Sequence, residues 1–250
     1  MPQETFSILI VMLVCLIIGL SKGGLSPSLG VVCAPLLASV MPVRQALSLT
    51  LPLLIIGDIF ALISYWNTWT MRYIWILLPP AIVGALVGAY VLASLPDEAV
   101  RQLIGVIIIA FVIYKMIEPQ LPLLQYRTKP WHGWAAGAAA GVGSMVANVG
   151  GPPFTIYMLL QSGVSPVSFN GTATLFFAIV NVLKLPFLSA ATIFDIQDLL
   201  THLWAVPLIP LGVLMGHYLV KRVNRQTFDI MMLITLTISA LVLLFVPPTQ

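Results

Sequence analysis

Charge is what this sequence has least of. Asp, Glu, Lys and Arg make up 8% of its 250 residues, against roughly 25% in a soluble domain. So little charge leaves no polar surface to offer water, and with 60% of residues hydrophobic the solvent must be largely lipid. Cysteine is nearly missing too. Cys15 and Cys33 both lie in apolar runs, where a free thiol behaves as a small hydrophobe. No C-x-x-C spacing points to a disulfide framework or a metal site. The net charge of +3 is small and the basic residues are scattered, which argues against nucleic acid as a partner. No H-E-x-x-H zinc motif and no G-x-S-x-G elbow is present, and His132, His202 and His217 have no evident Ser/Asp constellation. An intramembrane enzyme is therefore the weakest functional class, and no cofactor is expected. The opening "MPQETF" lacks a basic n-region, so the first apolar segment reads as retained rather than cleaved.

What is present is a series of long apolar runs. Val43–Ser64, Arg72–Leu95, Glu98–Ile117 and Ser165–Ala190 each approach or exceed the ~20 residues of a spanning helix. Leu199–Val220 and Arg225–Val246 read the same way. Four pieces look short for full spans: Phe6–Leu20, Val31–Val40, Trp134–Val146 and Phe154–Gln161. They flank two breaks, "SKGGLSPSLG" (Ser21–Gly30) and "ANVGGPP" (Ala147–Pro153).

The two halves read as copies. "PPAIVGALVGAYV" carries Pro79, Gly84, Gly88 and Tyr90, and "PLIPLGVLMGHYL" carries Pro207, Gly212, Gly216 and Tyr218 at identical spacing. Upstream, Pro42 and Thr50 match Pro166 and Thr174 at one shared offset, which sets Val146 at the place of Lys22. Short loops rich in Lys and Arg mark the cytoplasmic side. Lys221, Arg222 and Arg225 lie between the last two runs, and Lys115, Arg127 and Lys129 lie in or beside the central linker. Arg72 falls with these six, while Arg44 and Arg101 fall outside with the anionic loop of Asp195 and Asp198. If linker and final loop share a side, each half crosses an odd number of times and the second half is inverted. The expected fold is an all-α polytopic membrane protein of two inverted repeats. Each is a Gly/Pro-broken re-entrant or short helical hairpin followed by three transmembrane helices. The first repeat covers residues 1–117, a cytoplasmic linker 118–130, and the second repeat 131–250. Trp66, Trp69, Tyr73, Trp75, Trp131 and Trp134 fit interfacial anchors.

Inverted repeats with interrupted segments at corresponding positions point to a secondary transporter whose site lies at the interruptions. Irregular backbone at membrane depth survives only where protein or a water-filled cavity satisfies it. A helix restarting at Pro27 or Pro152 aims free N–H groups and a partial positive charge at the break, which suits an anion.

The stretches "GLSKGGLSPSLGVVCAPLLAS", "MPVRQALSLT" and "GVGSMVANVGGPPFTIYMLLQSGVSPVSFNGTATL" resemble the sulfite exporter TauE/SafE family of membrane permeases over nearly the whole chain. In that family each half opens with a Gly-rich segment, then a Pro-Leu-Leu-like run and a small-polar A-x-x-T helix start. Here serines and prolines interrupt the first glycine cluster. The resemblance implies movement of a small sulfur-containing anion such as sulfite, thiosulfate or an organosulfonate. The expected function is thus a secondary active permease in the bacterial cytoplasmic (inner) membrane, with proton coupling as one option. A passive anion channel is the alternative. The partners are the anionic substrate and the lipid bilayer, and a homodimer is left open.

The candidate substrate-binding residues are Lys22, Gly23, Gly24, Ser26, Asn148, Gly150, Gly151, Asn181 and Lys184. Lys22 stands at the first break, where an ion-facing role competes with snorkelling to the interface. Lys184 faces the same choice, with Asn181 one turn away on the same helical face. Asn148 either donates to a substrate oxygen or caps exposed backbone. Asp58 is the one carboxylate well inside a predicted span. It reads as a proton-coupling group, as a counter-ion that releases Lys22 when substrate arrives, or as a structural pair. His217, opposite Ala89, reads as interfacial, and the G-x-x-x-G pairs read as close helix contacts.

Overall fold

Apolar runs punctuated by Gly and Pro have one stable form where water is scarce. Each backbone polar group must bond within its own segment, and that makes helices. The computed structural model describes residues 2–24, 30–117, 129–161, 164–190 and 193–219, with scattered positions between 230 and 245. In chain order the helices are α1 (Pro2–Lys22), α2 (Gly30–Ala38), α3 (Val43–Ser64), α4 (Met71–Ser94), α5 (Asp97–Ile117), α6 (Pro130–Ala147), α7 (Gly151–Leu159), α8 (Pro166–Ala190), α9 (Ile196–Thr201) and α10 (Leu208–Leu219). A 3-10 turn at Leu203–Ala205 lies between the last two, and no strand occurs among the described residues. Four stretches are long and apolar enough to cross a membrane: Thr5–Lys22, Val43–Ser64, Met71–Ser94 and Val167–Ala190. Their outer faces expose large apolar side chains such as Ile59, Ile63, Val83 and Val87.

Three expectations are corrected. The first apolar run is no short piece, since α1 has 21 residues. Its helix continues through Gln3–Thr5 at one end and Ser21–Lys22 at the other, because helical hydrogen bonding is indifferent to polar side chains. For the same reason α6 has 18 residues and starts at Pro130, a position that needs no N–H. The run Leu199–Val220 is not one helix. Val206 N bonds to Leu203 O and Ile209 N to Val206 O, a three-residue spacing, and Pro207 has no N–H with which to continue a four-residue ladder. The expected Arg225–Val246 helix lies largely outside the described residues, although its described positions from Ile230 to Phe245 are helical.

Helix pairing exchanges elements between the two halves. α1 packs on α10, and α6 packs on α4. Both seams are glycine-lined. A Cβ at Gly84 would meet Ala138 O at 2.1 Å and one at Gly141 would meet Ala81 O at 2.0 Å, while in the other seam Gly19 faces Ile209 O at 2.3 Å and Gly216 faces Leu20 O at 2.7 Å. The G-x-x-x-G pairs are therefore close helix contacts, as small residues permit.

Hydrogen bonds define the two ends of the bundle. At the first end Arg44, at the start of α3, pairs with Asp97 and donates to Leu95 O at 2.8 Å, just past α4. Gln45 donates to Asp198 at 2.9 Å, and the Ser48 hydroxyl accepts from Asp195 N at 2.9 Å. At the second end the Thr172 hydroxyl accepts from Thr70 N at 2.9 Å, and Thr70 Oγ1 bonds Ser168 Oγ at 2.8 Å. α3 thus begins at the first end, where α8 finishes, and finishes at the second end, where α8 begins. A backbone N–H in the segment after each helix, Thr70 after α3 and Asp195 after α8, donates to a hydroxyl near the start of the other. Ser48 and Thr172 stand at the same offset as Pro42 and Pro166.

The short helices are return arms. α1 enters from the first end beside α10, and α2 runs back to it, with Cys33 and Leu37 sharing a core with Cys15 and Ala46. α6 enters from the second end and α7 returns there, its Tyr157 against Gly133 of α6 and Tyr73 of α4. Trp66, Trp75, Trp131 and Trp134, all exposed, ring this second end.

Candidate functional site

Both long arms stop on a residue with positive φ. α1 gives way to Gly24 at φ 104 and α6 to Asn148 at φ 56. Glycine is the default in that region, and asparagine is among the few side chains that visit it routinely. The two residues stand at the same offset as Pro42 and Pro166. Each turn therefore sits where the sequence breaks, and the side chains beside it project between the hairpins.

They meet at one cavity of about 70 Å³, room for a few waters or a small ion. The first break supplies Ser21, Lys22, Gly24, Gly30 and Val31, and the second supplies Ser144, Asn148 and Gly151. Asn170, Thr174, Phe177 and Asn181 of α8 complete the wall, with Leu54 and Tyr65 from α3 and its C-terminus. Burial raises the Tyr65 phenol above its ordinary pKa, so it faces the cavity as a neutral hydroxyl.

Behind the wall stand two ionisable groups shut off from solvent. Asp58 is 2% exposed and Lys184 is 1% exposed. The Asp58 carboxylate is shared. Lys22 Nζ pairs with Oδ1, and Asn181 Nδ2 donates to Oδ2 at 2.7 Å. Lys184 Nζ donates to Asn148 Oδ1 at 2.8 Å. Neither lysine snorkels. Lys22 leans on Asp58, the contact expected of a counter-ion, and the buried Lys184 leans on an uncharged amide. Asn181 and Lys184 share a helical face but engage different partners.

The remaining candidates are distributed differently. Gly151 lines the cavity, whereas Gly150 is a packing glycine whose Cβ would meet Ala140 O at 2.7 Å. Gly23 bonds Gly19 O and packs its Cα on Gly216. Ser26 and Pro27 lie outside the described residues, as does the side chain of His217. The helix restart at the second break is a weaker donor than expected, because Pro152 and Pro153 follow Gly151 and two of the first four positions lack an N–H. Sequence reasoning missed Tyr65, Ser144 and Asn170. The last two are polar residues inside stretches already singled out for their glycines, which was the available signal. Ser48, Thr50 and Thr172 are fully buried and serve packing: Thr50 bonds back to Ala46 O at 2.6 Å.

No curated protein and no solved structure matches the chain. A family model does, that of the sulfite exporter TauE/SafE, over residues 11–243. That match takes in both breaks, every described residue of the cavity wall and the pairs Lys22–Asp58 and Asn148–Lys184. The chain belongs to the sulfite exporter TauE/SafE family.

Proposed function

We propose that the protein is a multi-pass secondary active permease that carries a small sulfur-containing anion, such as sulfite, thiosulfate or an organosulfonate, across the cytoplasmic membrane. The observation that carries this reading is the convergence of both chain breaks on one cavity with a lysine ammonium on its wall. Two hairpins that enter from opposite ends, and helices α3 and α8 that run in opposite directions, support an inverted repeat. Such a repeat alternates access by rocking one half against the other around a fixed site. The second end, with Arg72, Lys129 and the exposed tryptophans, is the cytoplasmic one by the distribution of basic residues.

Substrate binding falls to Lys22, Gly24, Asn148, Gly151 and Asn181 on the wall and to Lys184 behind it. Asp58 holds Lys22 while the cavity lacks an anion. A substrate oxyanion competes for that ammonium, and Asp58, once released, becomes the group able to take a proton and couple the step. The test is flux of radiolabelled sulfite in proteoliposomes. Lys22→Ala is expected to abolish it while the purified variant remains folded and monodisperse. Wild-type flux in that variant removes Lys22 from the mechanism.

A further inference from the structure

The cavity shows amides and hydroxyls to its contents, and apart from Lys22 the full charges stand one hydrogen bond behind them. Lys184 and Asp58 are absent from the wall, while Asn148 and Asn181 are on it. An ammonium offers only donors, so Asn148 turns its oxygen to Lys184 and keeps its two N–H donors for other partners. Asn181 does the reverse. One of its two N–H groups is taken by Asp58 at 2.7 Å, which turns the amide nitrogen to the carboxylate and leaves the oxygen as an acceptor. The charge behind each amide polarises it, so Asn148 becomes a stronger donor and Asn181 a stronger acceptor than a solvated amide.

The charges around the cavity do not cancel. Among the described residues the ionisable groups besides the neutral Tyr65 phenol are Lys22, Asp58 and Lys184, which sum to one net positive charge when all three are ionised. Asp58 offsets Lys22, whereas Lys184 is buried with a neutral partner. A buried ammonium without a compensating anion is costly, and an anion bound against Asn148 is placed to supply what is missing.

We infer that this site selects monoanions over dianions, and among monoanions those that carry a hydrogen-bond donor, with Lys184 setting the valence through Asn148 and Asn181 receiving the donor. A monoprotonated oxyanion or a hydroxyl-bearing sulfonate has this chemistry. The inference rests on the transport reading above and narrows it by charge and donor content: it favours the monoprotonated form of sulfite and sets thiosulfate, a dianion at neutral pH, among the disfavoured anions.

Three probes of fixed charge at neutral pH test it by binding to the purified protein: sulfate, methanesulfonate and hydroxymethanesulfonate. The wild type is expected to bind both sulfonates about ten-fold or more tightly than sulfate, since a misplaced second charge in a desolvated site is heavily disfavoured. Hydroxymethanesulfonate should exceed methanesulfonate by roughly five-fold, the worth of one net hydrogen bond. Asp58→Asn keeps the side-chain size and adds one net positive charge, so it should raise sulfate by about ten-fold relative to the sulfonates. Lys184→Gln should weaken all three. Should that variant fail to fold, the wild-type ranking and Asp58→Asn still decide. Sulfate bound as tightly as methanesulfonate by the wild type, or an Asp58→Asn variant with an unchanged ratio of sulfate to sulfonate affinity, overturns the inference alone. If none of the three anions binds, the transport reading falls with it.

Discussion

The two breaks are built on one plan and loaded with different chemistry. In each, a positive-φ residue ends the long arm, a short arm returns, and a break side chain bonds a residue 36 positions further on in a long helix. In the first break the partners are Lys22 and Asp58, an ion pair. In the second they are Asn148 and Lys184, an amide and a cation. Gly24, which shares a positive φ with Asn148, has no side chain, so the first break reaches its long helix from Lys22, one position before the glycine pair. Val146, at the place of Lys22, is simply buried core. The lesson is that backbone symmetry and charge symmetry are separable. The two backbone turns correspond while their charges differ, and on the transport reading proposed above a single substrate meets one set of groups.

The strongest way to break this comparison is to remove one partner from each pair. Asp58→Ala strands Lys22 beside a buried face and should cost about 3 kcal/mol of stability, in the range for an uncompensated buried charge. Lys184→Met removes a buried charge along with its desolvation and should shift stability by less than ~1 kcal/mol, because hydrophobic replacement of buried charge is often neutral. Reversing the first pair, as Lys22→Asp with Asp58→Lys, should recover most of the loss seen in Asp58→Ala and still leave flux near background, with a carboxylate now on the cavity wall. Thermal unfolding in detergent reads the stabilities and proteoliposome uptake reads the flux. Full flux in the reversed pair would show that Lys22–Asp58 is a structural clasp only.

The next comparison is between the glycine seams that seat the two long arms. α6 sits the tighter: a Cβ at Gly141 would meet Ala81 O at 2.0 Å, while in the α1 seam a Cβ at Gly19 would meet Ile209 O at 2.3 Å and one at Gly216 would meet Leu20 O at 2.7 Å. Backbone cannot swing aside as a side chain can, so Gly141→Ala should reach the upper part of the ~1–3 kcal/mol range for overpacking, and Gly216→Ala the lower part. The yield of monodisperse protein after a heat step measures both. Equal losses would mean that the second hairpin is no more firmly seated than the first.

The sequence made the seams and both breaks legible because glycine and proline mark backbone requirements directly. Span boundaries were legible for the same reason. Val43–Ser64 is a helix over those residues, the Arg72–Leu95 run is displaced by one position at each end, and the Glu98–Ile117 helix starts one position earlier. The ends of α1 and α6 were hidden, because apolar counting stops at Gln3, Glu4 or Ser21 while the hydrogen-bond ladder does not. The pairings were hidden more deeply. Asn181 and Asp58 are 123 positions apart, and nothing local in "NVLKLPF" says that its asparagine meets a carboxylate while its lysine, one turn on, meets an amide. The packing of α8 against α3 and against the end of α6 decides that. Snorkelling was a fair expectation for Lys184 by depth, and it fails because α8 turns that face inward.

The smallest expected effect separates the two ends of the bundle. Ser48 and Thr172 do corresponding jobs, each accepting from a backbone N–H in the segment after the other long helix, at 2.9 Å in both cases. Their surroundings differ. At the first end Gln45 also holds Asp198, Arg44 holds Asp97 and Leu95 O, and Asp195 caps α9 through Gln197 N at 2.8 Å. At the second end the Thr70 hydroxyl has one further partner, Ser168. Thr172→Val, close to isosteric, leaves Thr70 N without its acceptor and should cost about 1 kcal/mol, the usual worth of such a bond. Ser48→Ala deletes an equivalent bond from a loop that several others still hold, so a compensating shift is available and the cost should be less than half as large. Limited proteolysis at residues 65–70 and at 193–198, compared between the two variants, reads the ends separately. A larger loss from Ser48→Ala would mean that the Arg44 and Gln45 contacts do not share its load, and that the first end rather than the second is the easier one to open.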